Sequence, residues 1–217
     1  VSSAATKSIC SGVSVNYVPT AAVAGTVFNW TSSVTVGTVT GNTAVGGLGT
    51  IADVLVNTTN VIGTVRYVIT PVANGCSGTP FNVDVTVDPQ PTLSTVVTPL
   101  SQVLCSNTAM VIDVNSATVP SAGSVVYDYV AVASDVSVTG FTASAINQSL
   151  ATNISNLNVL NSSLIRQTIT YTITPKVLGG LACAGPSVVV VISIDPVPVV
   201  SSAATKSICS GVSVNYV

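Results

Sequence analysis

The chain repeats itself, and that fact limits what it can fold into more than any other. Residues 1–18 read VSSAATKSICSGVSVNYV, and the same letters return at 200–217. An identical segment at a fixed offset indicates a tandem array, here with a period of 199 residues. The entity that must fold is therefore a repeating unit that can be joined end to end with copies of itself.

An older repeat lies inside the period. The segment SICSGVSVNYV around Cys10 aligns with VLCSNTAMVIDV around Cys105, and VRYVITP in the first half aligns with ITYTITP in the second. Both halves close on a similar segment, VDVTVDPQP in one and VVVISIDPVP in the other. The sequence therefore predicts two related domains, 1–91 and 92–198, followed by the start of the next copy of the first domain at 199–217. The extra length of the second half falls in its middle, where we expect a longer loop.

The strands of these domains follow from alternation. In FNVDVTVD, which starts at Phe81, every second residue is apolar, as in a strand with one buried face. TVRYVITP alternates in the same way, and Pro71 is expected to end that strand because it cannot donate to a ladder. Further strands are predicted near 13–18, 26–32, 34–40 and 50–58. With no helical stripe, the sequence predicts an all-β fold of tandem immunoglobulin-like antiparallel β-sandwiches.

Charge is scarce throughout the sequence. Five basic and seven acidic side chains occur in 217 residues. Because the basic residues do not cluster, neither nucleic acid nor an anionic membrane surface is an expected partner. Apolar residues make up 47% of the chain, but their runs are far shorter than the roughly 20 residues that cross a bilayer, so no membrane insertion is expected in this segment. No signal peptide is recognised either.

The residues needed for common enzyme chemistry are missing from the sequence. There is no His and no Glu, so neither a Ser-His-Asp nor a Cys-His arrangement can form. The seven acidic residues are all Asp and are isolated along the chain. We therefore expect a protein that is not an enzyme, with no catalytic residues and no cofactor.

Two cysteines fall in each half of the period. We predict one disulfide per domain, Cys10–Cys76 and Cys105–Cys183, while Cys209 is Cys10 of the next copy and pairs there. Each bridge would contribute roughly 4 kcal/mol by the chain-entropy model and would indicate an oxidising compartment outside the cytoplasm. The alternative is a set of buried free thiols. Zinc is disfavoured, because no C-x-x-C pair and no His are present.

Each half ends on Asp-Pro followed by a second proline. These predicted linker residues are Asp88, Pro89 and Pro91 in the first half and Asp195, Pro196 and Pro198 in the second. The Asp could bind calcium at the domain junction, or it could terminate the strand by accepting a backbone hydrogen bond. Termination is favoured because each junction supplies a single acid. Pro-x-Pro makes a short, semi-rigid connector, so successive domains are expected to keep a fixed angle.

Aromatic residues recur at matched positions in the two halves. Trp30 and Tyr129 are predicted to be core residues packed against the disulfide, with a sugar-stacking platform as the alternative. Tyr67 and Tyr171 are predicted to place their rings in the core and to bond their hydroxyls to backbone. Asn-x-Ser/Thr triplets occur at Asn29, Asn57, Asn147, Asn153 and Asn161. The segment 141–165 is the expected loop for glycans or ligand contacts.

The paired cysteines, the YxITP segment and the closing V-x-V-x-V/I-D-P-x-P together resemble a known family. They are similar to the PKD-like, immunoglobulin-type repeats in giant secreted surface proteins of Bacteroidota, including mobile gliding-motility adhesins. The resemblance implies export by the type IX secretion system, attachment at the cell surface and a stalk or filament of many domains.

The function expected from the sequence is mechanical. The chain is predicted to be a non-catalytic repeat segment of an extracellular adhesin or filament, in which each period adds roughly 80 Å of reach. Its expected partners are neighbouring repeats of the same chain, with identical chains in a fibre as a further candidate. Two alternatives stay open: a carbohydrate- or surface-binding module, and a self-assembling filament subunit that exchanges strands.

Overall fold

The computed structural model describes residues 3–199, 205 and 207–213, and this part of the chain is all β. The predicted third segment, 199–217, falls mostly outside the described residues. The strands of the first half are β1 Thr6–Cys10, β2 Val13–Ser14, β3 Val27–Val36, β4 Val39–Thr40, β5 Gly47–Leu48, β6 Val54–Asn57, β7 Gly63–Ala73, β8 Cys76–Ser77 and β9 Phe81–Asp88. Those of the second half are β10 Ser94–Thr98, β11 Val103–Cys105, β12 Thr108–Asn115, β13 Ser124–Ala133, β14 Val138–Thr139, β15 Ser144–Ser149, β16 Ile154–Asn161, β17 Gln167–Leu178 and β18 Val188–Asp195. None of the described residues forms a helix long and apolar enough to cross a bilayer.

Each half forms a sandwich of two sheets. In the first sandwich, the sheet β1-β9-β7-β3-β5, with β8 beside β7, packs on the sheet β2-β6-β4. In the second sandwich, the sheet β11-β18-β17-β13-β15 packs on β10-β12-β16-β14. Each sandwich has its own hydrophobic core, which takes residues from both of its sheets. The predicted fold class, tandem immunoglobulin-like β-sandwiches, is confirmed.

Alternation places the core as expected. Along β7, the side chains of Val65, Tyr67 and Ile69 are fully buried, while their neighbours in sequence are only partly buried. β9 does the same with Val83 and Val85. Each such apolar side chain removed from water contributes about 1.5–3 kcal/mol, so these two central strands supply much of the hydrophobic stabilisation of the first sandwich.

The sheets are not antiparallel throughout. β1 runs parallel to β9, with Cys10 opposite Asp88, and β11 runs parallel to β18, with Cys105 opposite Asp195. All other strand pairs are antiparallel. A parallel pair needs a long connection between its strands, and here most of a sandwich lies between the two paired strands. The strand that carries the first cysteine of each half, β1 or β11, therefore ends beside the closing Asp.

Three local predictions are wrong. The predicted strands at 26–32 and 34–40 are largely one strand, β3. β7 continues through Pro71, because the β7–β9 ladder ends at Ile69 and the proline nitrogen has no ladder bond to supply there. The segment 141–165 is not a loop but carries β15 and β16, whose alternation is obscured by exposed apolar residues such as Ile146 and Leu157.

Candidate functional site: the joint between the two sandwiches

A disulfide joins the two sandwiches to each other. Cys10, at the end of β1, is bonded to Cys183 of the second sandwich, with 5.5 Å between their Cα atoms and 173 residues between them in sequence. The predicted pairs Cys10–Cys76 and Cys105–Cys183 are therefore wrong. Cys76, Cys105 and Cys209 are exposed free thiols.

The geometry of one sandwich explains why its own cysteines do not pair. Cys10 lies beside Asp88, next to the start of β7, whereas Cys76 pairs with Ala73 at the other end of β7. That separation along the strand is about 30 Å at 3.3 Å per residue. A disulfide requires Cα atoms within about 7 Å, so the two thiols of a sandwich cannot meet. We call these two ends the early-cysteine end (Cys10 or Cys105) and the late-cysteine end (Cys76 or Cys183).

The closing Asp of the first sandwich is buried in the contact between the sandwiches. Asp88 accepts a hydrogen bond from the backbone N–H of Ser121 at 2.9 Å through Oδ1 and one from the Ser121 hydroxyl at 2.9 Å through Oδ2. Ser121 lies just before β13, at the late-cysteine end of the second sandwich. Both carboxylate oxygens are thus used in holding the neighbouring domain. Within the described ranges, no group of three or more acidic, Cys or His side chains is placed to hold a metal ion.

Backbone and proline contacts complete the joint. Pro89 and Pro91 are buried, and a Cβ added at Gly185 would collide with the carbonyl oxygen of Pro91. The N–H of Val119 donates to the carbonyl oxygen of Asn60 at 2.8 Å. The contacts of the interdomain joint are made by Cys10, Asn60, Asp88 and Pro91 on one side and by Val119, Ser121, Cys183 and Gly185 on the other. It brings the early-cysteine end of one sandwich against the late-cysteine end of the next.

The closing Asp of the second sandwich has different partners. Arg166 donates to Asp195 through Nε at 2.6 Å and through Nη2 at 2.8 Å. This guanidinium lowers the pKa of Asp195 below its usual value. Pro196 is only half-buried and Pro198 is exposed, in contrast to the buried prolines of the first closing segment. The predicted linker residues of the two halves therefore lie in different surroundings.

The matched aromatic residues pack in the interiors of the two sandwiches and not against the disulfide. Trp30 is buried and meets Tyr67 edge to face, with 5.5 Å between the ring centroids. Tyr129 is buried and lies 6.0 Å from Tyr171 by the same measure. The expected packing of Trp30 and Tyr129 against a bridge inside each sandwich is wrong, because the disulfide lies between the sandwiches.

The hydroxyls of the two central tyrosines bond to side chains, so the predicted bonds to backbone are also wrong. The Tyr67 hydroxyl donates to Asp53 at 2.8 Å, and the Tyr171 hydroxyl accepts from the Asn156 amide at 2.9 Å. Burial of the ring is the main cause that raises the pKa of Tyr67, and the bond to Asp53 adds to it. Burial likewise raises the pKa of Tyr171 well above its ordinary value.

These shifts predict two tyrosines that resist ionisation. Folding raises the pKa of both tyrosines above the ordinary value of 10.0. The stability that the two neutral hydroxyls contribute is therefore fully present below pH 10 and is lost as the pH rises through the folded-state pKa. In a titration followed at 295 nm, we expect part of the tyrosine absorbance to appear only when the chain unfolds. Tyr67→Phe should reduce this late amplitude. Ionisation of every tyrosine in one step near pH 10 would contradict the prediction.

Two asparagines that belong to Asn-x-Ser/Thr triplets are buried structural residues. The Asn57 amide donates to the carbonyl oxygens of Val61 at 2.7 Å and Val87 at 2.9 Å. Its own oxygen accepts from the N–H and the hydroxyl of Thr59, the last residue of the triplet. Because its hydrogen-bonding groups are all engaged and its side chain is buried, Asn57 cannot carry a glycan in the folded protein.

Asn161 repeats this arrangement in the second sandwich. Its amide donates to Ile165 and Ile194, each at 2.8 Å, and its oxygen accepts from Ser163. Each of the two asparagines thus connects the end of the last strand of its sandwich, β9 or β18, to the loop that precedes the central strand, β7 or β17. Sequence reasoning missed this role, although the recurrence of an Asn-x-Ser/Thr triplet at the same place in both halves was a visible signal.

Comparison with known proteins places the fold in context. Among solved structures, the chain is similar to fibronectin(III)-like modules of Clostridium thermocellum CbhA, with 12% identity over 90% of this chain and 92% of that chain and a TM-score of 0.29. It is also similar to protocadherin gammaB7 EC3-6, with 12% identity over 90% of this chain and 46% of that chain and a TM-score of 0.31. No curated protein matches. The model of the PKD-like domain matches residues 7–91 and again 102–198, so this chain belongs to the PKD-like domain family.

Proposed function

We propose that the chain is a non-catalytic structural segment of an extracellular surface adhesin or filament, in which tandem sandwiches act as a rigid spacer. The observation that carries the proposal is the interdomain joint, where the Cys10–Cys183 disulfide and the buried Asp88–Ser121 pair fix one sandwich on the next. A covalent bond together with buried polar contacts opposes hinge motion at the linker. A spacer that holds two attachment points at a fixed distance requires this resistance to bending.

The dimensions agree with a spacer. The joint connects opposite ends of successive sandwiches, so they follow one another along the chain direction. The twelve residues of β17 span about 40 Å, and two sandwiches in series therefore extend about 80 Å per period. Exact recurrence of residues 1–18 at 200–217 supports repetition of this length.

The proposed location is outside the cell. A disulfide that forms and persists is typical of an oxidising compartment. The sequence likeness to gliding-motility adhesins of Bacteroidota extends the proposal to secretion by the type IX system and to a role in adhesion or gliding. A carbohydrate-binding role has less support, because every aromatic side chain in the described residues is buried or packed partly buried against a core.

Electron microscopy of chains with one to four tandem units tests the spacer proposal. We expect straight rods whose length grows by roughly 80 Å per unit. A matched series with Cys10→Ser and Cys183→Ser in every unit should show a wider spread of bending angles at the same contour length. Rods that collapse into compact particles, or that fall apart into single units in place of one long polypeptide, would contradict the proposal.

A further inference from the structure

The second sandwich presents, at its early-cysteine end, the same arrangement that the first sandwich presents to the joint. Cys105 lies opposite Asp195 in a parallel strand pair, as Cys10 lies opposite Asp88. The residue after each cysteine donates its N–H to the carbonyl oxygen of that Asp, at 2.8 Å in the second sandwich and 2.9 Å in the first. Cys10 has a partner, whereas Cys105 is an exposed free thiol.

The first sandwich presents, at its late-cysteine end, the same surface that receives the joint in the second. The N–H of Gly78 donates to the carbonyl oxygen of Pro71 at 2.8 Å, as the N–H of Gly185 donates to that of Pro175 at 3.0 Å. The cysteine two residues before each glycine differs in exposure. Cys183 is 2% exposed beneath the joint, and Cys76 is an exposed free thiol.

An open concavity lies beside the free Cys76. It has a volume of about 670 Å³, and its lining includes Ala21, Ala22, Val23, Pro71, Cys76 and Gly78. At the matching place in the second sandwich, the carbonyl of Pro91 from the preceding domain rests on Gly185. The concavity is thus the counterpart of a surface that is covered in the same chain by the end of the preceding sandwich.

We propose that Cys105 forms a disulfide with Cys76 of the next copy of the repeating unit, so that every joint of the array is covalently closed. The occupant of the Cys76 concavity is the early-cysteine end of the second sandwich of the preceding unit. The proposal rests on the tandem arrangement of the proposed function. The two cysteines of the period without a partner are the two whose partners lie in adjacent units.

The bond forms by thiol–disulfide exchange. The thiols of Cys105 and Cys76 together lose two protons and two electrons to a disulfide oxidant, such as oxidised glutathione or a disulfide-carrying oxidoreductase, which leaves as two thiols. Both cysteine residues are exposed, and exchange requires access to the thiol. The same chemistry closes Cys10–Cys183 within the unit.

The new joint differs from the described one at the closing Asp. In the described joint the Ser121 hydroxyl donates to Asp88 from the segment Val119-Pro120-Ser121, which the first half repeats as Val18-Pro19-Thr20. Asp195 obtains its donors from Arg166 of its own sandwich instead. The closing Asp of the second sandwich is therefore paired within its own domain, whereas Asp88 is paired across the joint.

Peptide mapping without reduction tests the proposal on a chain of two complete tandem units, oxidised with glutathione disulfide. We expect the peptide of Cys105 linked to the peptide of Cys76, together with Cys10–Cys183 in both units. Two variants show which unit supplies the Cys76 that bonds to Cys105. Cys76→Ser in the second unit should abolish the link and leave Cys105 open to alkylation, whereas Cys76→Ser in the first unit should leave the link intact.

Two outcomes would overturn the proposal. One is full alkylation of Cys105 in the same sample in which Cys10–Cys183 has formed, which shows a folded chain without the second bridge. The other is loss of the link on Cys76→Ser in the first unit, which shows a bond inside one unit. Either result leaves the spacer proposal to be judged on rod length in micrographs, so the two failures are distinguishable.

Discussion

Stretching the oxidised chain from its two ends is expected to extend only the residues outside the loop between Cys10 and Cys183. The disulfide carries the force directly across this loop, so residues 11–182, which hold every described strand except β1 and β18, stay out of the covalent path. After reduction the same pull should release the 173-residue separation. At 3.3–3.6 Å per residue, the released contour is roughly 600 Å before the folded length is subtracted.

Single-molecule force spectroscopy with and without a thiol reductant measures this difference. Cys10→Ser should behave like the reduced chain under both conditions. Cys76→Ser removes an exposed free thiol and should behave like the unchanged chain. Full-length unfolding steps in the oxidised chain would show that the Cys10–Cys183 bond does not carry the load.

Replacing Asn57 by Ala is expected to destabilise the first sandwich by about 2–4 kcal/mol. The substitution leaves the carbonyl oxygens of Val61 and Val87 without the amide that bonds them, and the Val87 bond is buried. An unsatisfied buried polar group costs about 1–3 kcal/mol, and here two bonds to the amide are lost together with those from Thr59.

Urea unfolding followed by the fluorescence of Trp30, the single tryptophan, reports on the first sandwich. Asn29→Ala, at an exposed asparagine of another Asn-x-Ser/Thr triplet in the same sandwich, is the matched control and should change the free energy of unfolding by less than about 0.5 kcal/mol. Equal effects of the two substitutions would contradict the structural role of Asn57. Asn161→Ala should lower the stability of the second sandwich by a similar amount, as measured by circular dichroism.

The strands could be predicted from the sequence because alternation reports directly on burial. Val83 and Val85 in β9 occupy the buried face that their period of two indicates, and the internal repeat carries the same fold into the second half. Pro71 was misread because a proline is excluded from a ladder only where its nitrogen faces a paired strand. That depends on where the neighbouring strand ends, which the sequence does not state.

The joint could not be predicted, for a reason of geometry. Two cysteines in each half favour pairing within the half when only sequence order is known. Their positions at opposite ends of β7 appear only once the register of β1 on β9 is known. Asp88 was likewise read as a local strand terminator, whereas its partner Ser121 belongs to the next domain.

In an array, the bond between Cys10 and Cys183 recurs once per period, with Cys209 standing for Cys10 of the following copy. The shortest covalent path along the array, called the strap, then runs from Cys183 through 26 residues to Cys209 and crosses the next disulfide. Fully drawn out, that strap measures about 90 Å, against roughly 80 Å for the folded period. Under a pulling force, such a path transmits the force with little extension. A chain of domains without these bridges would instead lengthen as its domains unfold.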